Sequence, residues 1–431
     1  MKPKPLPKTE GFVAVDLPLP KLGLDVLTPE GDLAEGAVRR AENVMLHDSG
    51  AFDRRPGYAA LITLSGSHSL WQGSNGAYVA AAEKLYSFTP YGVTEVFSGL
   101  PTDDPVEYCE VGEDVYFTAG AVLRKMSGGL VRRPGVADVF GGSATVAATN
   151  GGMASGSYGA AYSLVNDLGE ESGLSQISFV TGTGVEISGI PSADNVVTVN
   201  LYATGVNGEE LFLAESVPWN STAAVLDQRR YQPADKQYLV PMPGGEYVRA
   251  YRGRLYVSKD VWLYYSEPFT YGLTDVRSGY MTFGAAITLL EPVEGGIFVG
   301  FADRVIFLRG AGPEGFEVVN TVARGAVPHT GTTSPADRFT EGGTGTVALW
   351  LSPQGLAIGH ADGSVALPQA DRIQLTADAG RTAVMQYQGI RQVVFTLDHM
   401  TLGSASDSTS LNINTVGVGY AAGSASAVAV P

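Results

Sequence analysis

Residues 251–265 read YRGRLYVSKDVWLYY: a short apolar strand, a polar turn and a second apolar strand. The hairpin recurs, with different side chains, in residues 76–88 (GAYVAAAEKLYSF), 112–126 (GEDVYFTAGAVLRKM) and 295–308 (GGIFVGFADRVIFL). A single hairpin cannot bury its apolar face alone, so repeated copies predict a radial or stacked all-β architecture. None of these copies carries a pair of residues typical of a catalytic site.

The composition agrees with many short strands joined by tight turns. Glycine accounts for 55 of the 431 residues and charged residues for 17% of the chain, which argues against disorder and against helical bundles. The net charge of −16 leaves no overall basic surface for gripping phosphates. We interpret this acidity first as a contribution to solubility.

The single cysteine and the N-terminal residues bear on the compartment. Cys109 cannot form an intrachain disulfide, and we expect it to pack as a small apolar residue in a chain suited to reducing conditions. Residues 1–8 (MKPKPLPK) lead into polar sequence and not into the apolar run of a signal peptide, and no apolar stretch is long enough to cross a membrane. The sequence predicts a chain made in the cytosol, with no membrane contact.

The hairpins divide the chain into regions. Residues 1–36, rich in Pro and Lys, are predicted to be an extended arm, either frayed or docked on a neighbour. A propeller-like body is predicted for 37–144 and 241–402, about 270 residues, and at roughly 40–45 residues per four-stranded blade this predicts about six blades. Residues 403–431 form a Gly/Ala/Ser-rich tail, either a flexible end or an edge strand paired with a neighbouring subunit.

An abrupt change in charge marks an insertion at 145–240. Between Pro134 and Gln228 there is no Lys or Arg, whereas ten Asp and Glu residues occur. About seven short alternating strands with turns every eight to twelve residues are typical of a β-sandwich of fibronectin-III-like or immunoglobulin-like kind. The alternative is that these strands form two more blades of the same repeat.

Signatures of catalysis and of metal or cofactor binding are not found. The five histidines have no metal-site spacing, and there is no phosphate-binding P-loop; the histidines are His47, His68, His329, His360 and His399. Adjacent carboxylates such as Asp103 and Asp104 are better explained as exposed turn residues. We expect most strand aromatics to pack between blades and not to stack on bases or sugars; they are Tyr86, Phe88, Tyr116, Phe117, Tyr256, Trp262, Tyr264 and Phe298. The sequence thus predicts a non-enzyme with no metal or cofactor.

Three stretches, taken in order, resemble one family. The first stretch has Glu42 and Asn43, a turn at 48–50, and then Arg55, Pro56 and Gly57. The second stretch, residues 162–172, reads YSLVNDLGEES and ends in Gly169, Glu170, Glu171 and Ser172. The third stretch is RGRLY at 252–256, followed by Tyr265, Ser266, Glu267 and Pro268. Together they resemble bacteriophage tail proteins of the nozzle, hub or packaged-DNA-stabilisation type. The likeness covers most of 37–320, and residues 321–431 do not contribute to it.

The resemblance implies a structural role in a virion tail. It implies a homohexameric ring that extends the DNA channel below a portal and adaptor protein, retains packaged DNA until ejection, and offers docking for tail fibres or spikes. Such a chain would be assembled in the bacterial cytoplasm and would contact passing double-stranded DNA only transiently and without sequence preference. An acidic lining would repel phosphate and let DNA slide. The alternative is a β-propeller adhesin or a receptor- or glycan-binding subunit.

Overall fold

The hairpin at 251–265 shows how local sequence builds each unit of the fold. Tyr247–Tyr251 and Arg254–Lys259 pair antiparallel around Arg252 and Gly253, whose φ angles of 44° and 77° give the mirror-image turn that matches strand twist. Along the second strand, Leu255 packs towards the preceding sheet and Tyr256 towards the following one. Because both faces are covered, the strand is apolar on both sides.

The computed structural model describes residues 19, 21–46, 51–55, 62–219, 223–226, 232–339, 342–387, 390–403, 415–421 and 424–430. Five four-stranded antiparallel sheets, here called blades 1 to 5, follow one another along the chain. Blade 1 comprises Ser67–Gly73, Gly76–Ala81, Lys84–Thr89 and Gly92–Ser98. Blade 2 comprises Glu107–Val111, Asp114–Ala119, Val122–Ser127 and Leu130–Arg132.

Blades 3 to 5 follow the inserted domain. Blade 3 comprises Tyr247–Tyr251, Arg254–Lys259, Trp262–Tyr265 and Tyr280–Thr282. Blade 4 comprises Leu289–Val293, Gly296–Gly300, Val305–Arg309 and Glu317–Asn320. Blade 5 comprises Thr332–Pro335, Thr346–Ser352, Gly355–Gly359 and Val365–Ala366.

Blade 6 is built around the hairpin of Ala379–Tyr387 and Ile390–Asp398. Thr415–Ala421 lies against Ile390–Asp398 and pairs with Ser424–Val430, so part of the predicted tail is a hairpin. Short strands complete the body: Gly23–Leu24 with Ala37–Val38, Val44–Leu46 with Phe52–Arg54, Leu239–Pro241 with Leu273–Asp275, and Leu375–Thr376 with Thr401–Leu402. One-turn 3-10 helices occupy Glu30–Asp32, Pro313–Gly315 and Ala336–Arg338.

The first strands of the blades surround a common axis. Glu107–Val111 lies beside Ser67–Gly73 and Tyr247–Tyr251, and the series continues through the first strands of blades 4, 5 and 6. Separate apolar clusters fill the spaces between blades 1 and 2, 2 and 3, 3 and 4, 4 and 5, and 5 and 6. Packing of this kind, about 1.5–3 kcal/mol for each fully buried large side chain, stabilises the ring. The prediction of an all-β, propeller-like body of about six blades is confirmed.

The insertion forms two facing sheets, as predicted, and not two more blades. One sheet contains Thr145–Thr149, Gly184–Ser188 and Ala223–Leu226; the other contains Ser178–Gly182, Gly156–Asn166, Val196–Thr204, Leu211–Pro218 and Gln232–Pro233. Val185 and Ile187 of the first sheet pack on Tyr162 and Leu201 of the second, which is the arrangement of a β-sandwich.

The segment before the body docks on the same chain. Leu24 is 5% exposed and packs with Val393 of blade 6, and the Val26 amide donates to the Arg372 carbonyl at 2.9 Å. Of the predicted arm, residues 1–18 and 20 lie outside the described residues. Residues 21–36 are therefore seen as a docked segment that closes the side of blades 5 and 6.

Candidate functional site

Five charged or ionisable side chains meet where the inner strands approach the axis. They are Glu107 of blade 2, Arg249 of blade 3, Glu291 of blade 4, His329 before blade 5 and Arg381 of blade 6, here called the axial cluster. Four of them lie on the first strands of blades 2, 3, 4 and 6, and His329 precedes the first strand of blade 5. The axis is thus filled by ion pairs and not by apolar residues.

Glu107 is the centre of this cluster. Its Oε2 accepts a hydrogen bond from Arg249 Nη1 at 3.0 Å, and its Oε1 accepts from His329 Nδ1 at 3.0 Å and from Arg381 Nη1. Burial alone would raise the pKa of Glu107, but Arg381 and Arg249, together with the hydrogen bond from His329, hold that pKa well below its ordinary value. Glu107 is therefore a fixed negative charge around which three blades are tied.

Arg249 connects Glu107 to the second buried carboxylate. Its Nε and Nη2 donate to Glu291 Oε1 at 3.1 and 2.6 Å, and its Nη1 also donates to the Val248 carbonyl at 2.8 Å. Burial raises the pKa of Glu291, although Arg249 opposes this shift. Glu291 is consequently the less well compensated of the two carboxylates.

Arg381 closes the ring between blade 6 and blade 1. Its Nη2 donates to Ser69 Oγ and to the Val106 carbonyl, both at 3.1 Å. Ser69 lies at an irregularity of the first strand, with φ 52°, and its hydroxyl also accepts from the Val106 amide at 2.9 Å. The bulge therefore turns a polar group towards the axis, where the last blade can reach it.

His329 is positioned by blade 3. Its amide donates to the Tyr247 hydroxyl at 3.0 Å, that hydroxyl donates to the Thr288 carbonyl at 2.7 Å, and the two rings stack with centroids 4.8 Å apart. Because Glu107 can only accept, Nδ1 of His329 carries the proton in this contact. The imidazole is held in one orientation from two sides.

A cavity of about 380 Å³ opens above the axial cluster. Apart from that cluster, its wall includes Trp71, Glu110, Thr332 and Thr333. The volume is that of a small-molecule pocket. It is far too small to admit duplex DNA, in which the major groove by itself is already about 12 Å wide.

Chemically, the cluster is suited to holding charge and not to activating a nucleophile. Cys109 lines the cavity, but burial raises the pKa of its thiol to about 12, so thiolate chemistry at neutral pH is disfavoured. Within the described residues, no group of three or more His, Cys, Asp or Glu side chains could hold a metal ion. None of the helices in the described part of the chain is long and apolar enough to cross a membrane.

The second family-like stretch forms the joint between sandwich and propeller. Gly169 has φ 76° in a tight turn, and Glu170 Oε1 accepts from Lys125 of blade 2 at 2.5 Å. Glu171 accepts from Tyr202 at 2.7 Å and pairs with Lys236 at 3.1 Å. Glu170 therefore takes its counter-charge from blade 2, whereas Lys236, the partner of Glu171, lies near the end of the insert itself.

Two serines in these stretches have the same structural role. Ser172 Oγ accepts from the Leu164 amide at 2.9 Å and donates to the Gly173 carbonyl at 2.7 Å. Ser266 Oγ accepts from the Leu255 amide at 2.9 Å and donates to the Glu267 carbonyl at 3.0 Å. Each hydroxyl satisfies a buried strand amide that has no ladder partner there.

The remaining family-like residues lie apart from the axis. The Arg254 guanidinium lies over the Tyr265 ring, 5.5 Å from the ring centroid. The amide of Glu267, the residue before Pro268, donates to the Leu273 carbonyl. Glu42 pairs with Arg40; Asn43 has φ 54° and its carbonyl accepts from the Arg55 amide at 2.9 Å. Pro56, Gly57 and the turn at 48–50 lie outside the described residues.

The sequence did not point to the axial cluster. Its members are separated by up to 274 positions. Glu107, Arg249 and Glu291 stand among apolar neighbours in their strands, whereas His329 lies in the turn before blade 5 and Arg381 is flanked by Gly380 and Thr382. The apolar neighbours of the first three are the only local signal: Glu107 follows Val106 and precedes Tyr108, and Arg249 follows Val248. Of the strand aromatics predicted to be core, Phe117, Tyr256 and Phe298 are fully buried, but Trp262 is 37% exposed.

Comparisons with known proteins give only distant likenesses. No family model and no curated protein matches the sequence. Among solved structures, the chain is similar to BBS1N in complex with ARL6DN, with TM-score 0.31 and 11% identity over 77% of this chain and 89% of that one. It is also similar to the Pan2 WD40 domain of Neurospora crassa, with TM-score 0.29, 10% identity and coverage of 78% and 87%. For apo AztD from Citrobacter koseri the TM-score is 0.28, with 10% identity and coverage of 86% and 74%.

Proposed function

We propose that this chain is a structural, non-enzymatic subunit of a bacteriophage tail nozzle or hub, present in the virion as a ring of six copies. The ring would extend the DNA channel below the portal and adaptor protein, retain packaged DNA, and carry docking sites for fibres or spikes. The observation that carries the proposal is the joint described above, in which Glu170 of the family-like stretch holds the sandwich on Lys125 of blade 2.

The chemistry of the axis supports a scaffold role. Arg249 and Arg381 direct their hydrogen bonds to Glu107, Glu291 and neighbouring protein oxygens. Ionisable groups that satisfy one another stabilise a shape but leave no poised acid or base for a substrate. The closed axis also means that a DNA channel would have to run between copies of the chain and not through a single propeller.

The net charge supports a non-adhesive conduit. The net charge of the 431-residue chain is −16, and acidic surfaces that face DNA would repel phosphate. Neutralising carboxylates on the ring's inner face to Asn and Gln should slow ejection or increase DNA retention. Unchanged retention and ejection rates would contradict this part of the proposal.

The decisive experiment measures assembly. The purified chain, 45.1 kDa as a monomer, is weighed alone and after mixing with candidate portal and adaptor proteins, and the mixture is imaged by electron microscopy. We expect a ring of six copies stacked on the adaptor. Failure to assemble with any adaptor, together with absence of the chain from purified tails, would refute the proposal; a monomer in isolation would not.

A glycan- or receptor-binding propeller is the second candidate, and the axial cavity favours it. The cavity has the volume of a small-molecule pocket and combines the Trp71 ring with hydroxyl and carboxylate groups. A glycan array on the isolated protein separates the two functions. Specific binding that is lost on substitution of Trp71 would support this candidate.

A further inference from the structure

The joint between sandwich and propeller brings together a lysine, a glutamate and an asparagine. Lys125, on the third strand of blade 2, donates from Nζ to Glu170 Oε1 at 2.5 Å. Asn166, the last residue of the sandwich strand Gly156–Asn166, donates from Nδ2 to the other oxygen of that carboxylate, Oε2, at 2.8 Å. Asp114 Oδ2 lies 3.8 Å from the same Nζ, beyond hydrogen-bond distance. One carboxylate therefore bridges an amine of the propeller and a carboxamide of the sandwich.

The carboxamide is also polarised by the backbone. Asn166 Oδ1 accepts hydrogen bonds from the amides of Leu168 and Glu170 at 3.0 and 2.9 Å. Because a backbone amide N–H can only donate and a carboxylate can only accept, these partners fix which end of the side chain is oxygen and which is nitrogen. Two backbone donors on one carbonyl oxygen are the arrangement that stabilises negative charge when a nucleophile adds to the carbonyl carbon.

The three side chains are held in place and largely screened from water. Lys125 is 4% exposed and Asn166 is 5% exposed, whereas the Glu170 side chain is 30% exposed and leaves one side of the site open. The Asp167 carboxylate pairs with Arg132 of blade 2 at 2.7 Å, which fixes the loop against the propeller at a second point. Groups that are positioned in this way lose little entropy when they react with one another.

We propose that Lys125 and Asn166 become joined by an intramolecular isopeptide bond, which the protein forms by itself with Glu170 as proton carrier. Glu170 takes a proton from the Lys125 ammonium, and the free amine attacks Cγ of Asn166. A bond forms between Nζ and Cγ, two protons pass from Nζ to Nδ2 by way of the carboxylate, the Cγ–Nδ2 bond breaks, and Nδ2 leaves as ammonium. The reaction consumes no oxidant, reductant or cofactor. Its product fastens the sandwich covalently to blade 2.

A second Lys–Glu–Asn set, within the sandwich, provides an internal comparison. Lys236 pairs with Glu171 at 3.1 Å, and Asn200 Nδ2 donates to Glu171 at 2.9 Å. There the carboxamide oxygen accepts from the Ser216 hydroxyl, and the Lys236 side chain is 22% exposed. We expect no bond at this set, because water reaches its amine and its carbonyl is held by a rotatable hydroxyl.

Mass spectrometry of the folded chain tests the proposal, independently of tail assembly. We expect an intact mass lower than that of the sequence by one ammonia. We also expect digestion to give a branched peptide that joins the segment around Lys125 to the segment around Asn166. The branched peptide is required because the Asn-Gly pairs at 75–76, 150–151 and 207–208 can lose ammonia by cyclising. The bond should persist in urea with a reducing agent present.

Matched variants locate the chemistry. Lys125→Arg keeps a positive charge beside Glu170 but replaces the amine by a guanidinium that stays protonated, and it should abolish the branched peptide. Glu170→Gln removes the proton carrier and should also abolish it. Lys236→Arg makes the same change as the first variant at the neighbouring ion pair and should leave the yield of branched peptide unchanged. The unfolding midpoint of each variant shows whether it is folded.

Three results would overturn the proposal. The first is that the folded chain gives no branched peptide after prolonged incubation at neutral pH. The second is that the branched peptide survives in Lys125→Arg, which retains the positive charge and so keeps the test informative if Glu170→Gln is unstable. The third is that folded Glu170→Gln forms the bond as fast as the unsubstituted protein.

Discussion

Replacement of Arg249 by Met tests whether the axial cluster stabilises the propeller. The Arg249 side chain is 12% exposed and contacts two carboxylates that are 5% and 2% exposed. Removing it leaves Glu107 with Arg381 and His329, but leaves Glu291 without a cation among the described residues. Breaking a buried ion pair by deleting one partner costs about 3–5 kcal/mol, and we expect a loss of that size in the free energy of unfolding.

Arg381→Met is the matched control within the same cluster. Its side chain is 31% exposed, and Glu107 keeps Arg249 and His329 when it is removed. Loss of hydrogen bonds to a charged group that retains other donors should cost less, about 1.5–3 kcal/mol. We therefore expect Arg249→Met to lower the free energy of unfolding more than Arg381→Met does, because Arg249 is more deeply buried and its removal leaves Glu291 without a cation among the described residues.

Urea unfolding followed by circular dichroism measures both variants. A chain of 431 residues with an inserted domain need not unfold in one step. The unfolding transition of the propeller body, and not one global midpoint, is therefore compared between each variant and the unsubstituted protein. Adding Glu291→Gln to Arg249→Met should recover part of the loss, because the orphaned charge is then removed. A loss below about 1 kcal/mol for Arg249→Met, or a larger loss for Arg381→Met, would refute this account of the cluster.

Three further predictions concern other parts of the molecule. The Cys109 thiol, whose pKa burial raises to about 12, should resist iodoacetamide at pH 8 in the folded protein and react fully in urea. Glu170→Gln removes the charge that pairs with Lys125 and should speed limited proteolysis around the insert at least severalfold. Glu215→Gln, a change at an exposed position of the same sandwich, should not. Equal rates would show that the ion pair between Glu170 and Lys125 does not hold the joint. The pKa of Glu107 is lower in the folded state than its ordinary 4.5, so its contribution to stability is complete above pH 4.5 and is lost as the pH falls further. Glu107→Gln should therefore reduce the dependence of the unfolding free energy on pH in the acid range. An unchanged dependence would contradict the role given to Glu107.

Local sequence was sufficient to predict the repeating hairpins. The turn at Arg252 and Gly253 and the apolar residues on both sides of it specify a strand pair buried on two faces, and the same pattern marks blades 1, 2 and 4. The absence of Lys and Arg between Pro134 and Gln228 similarly marked the insert; Glu170 takes its counter-charge from Lys125 of blade 2, and Glu171 takes its own from Lys236, which lies beyond that stretch. Both features are visible in sequence because each is a pattern of consecutive residues.

The axial cluster could not be predicted because it depends on ring closure. Glu107 and Arg381 become neighbours only when blade 6 meets blade 1, and the bulge at Ser69 is needed to receive Arg381. A lone charged residue in an apolar strand has many explanations in sequence, such as an edge position or a bulge. Only the shared axis brings four such residues, together with His329, into one site.

The closed axis places a geometric condition on any channel that this protein forms. Glu107, Arg249 and Arg381 join blades across the centre of the propeller, so in the proposed ring, opening that centre for DNA would require breaking buried ion pairs in every subunit. A lumen between subunits requires no such cost, because each propeller then acts as a rigid wall element and contributes its outer surface. Channel-lining carboxylates should therefore be sought on the outer faces of the blades and on the sandwich, where Asp194, Glu209 and Glu215 are exposed.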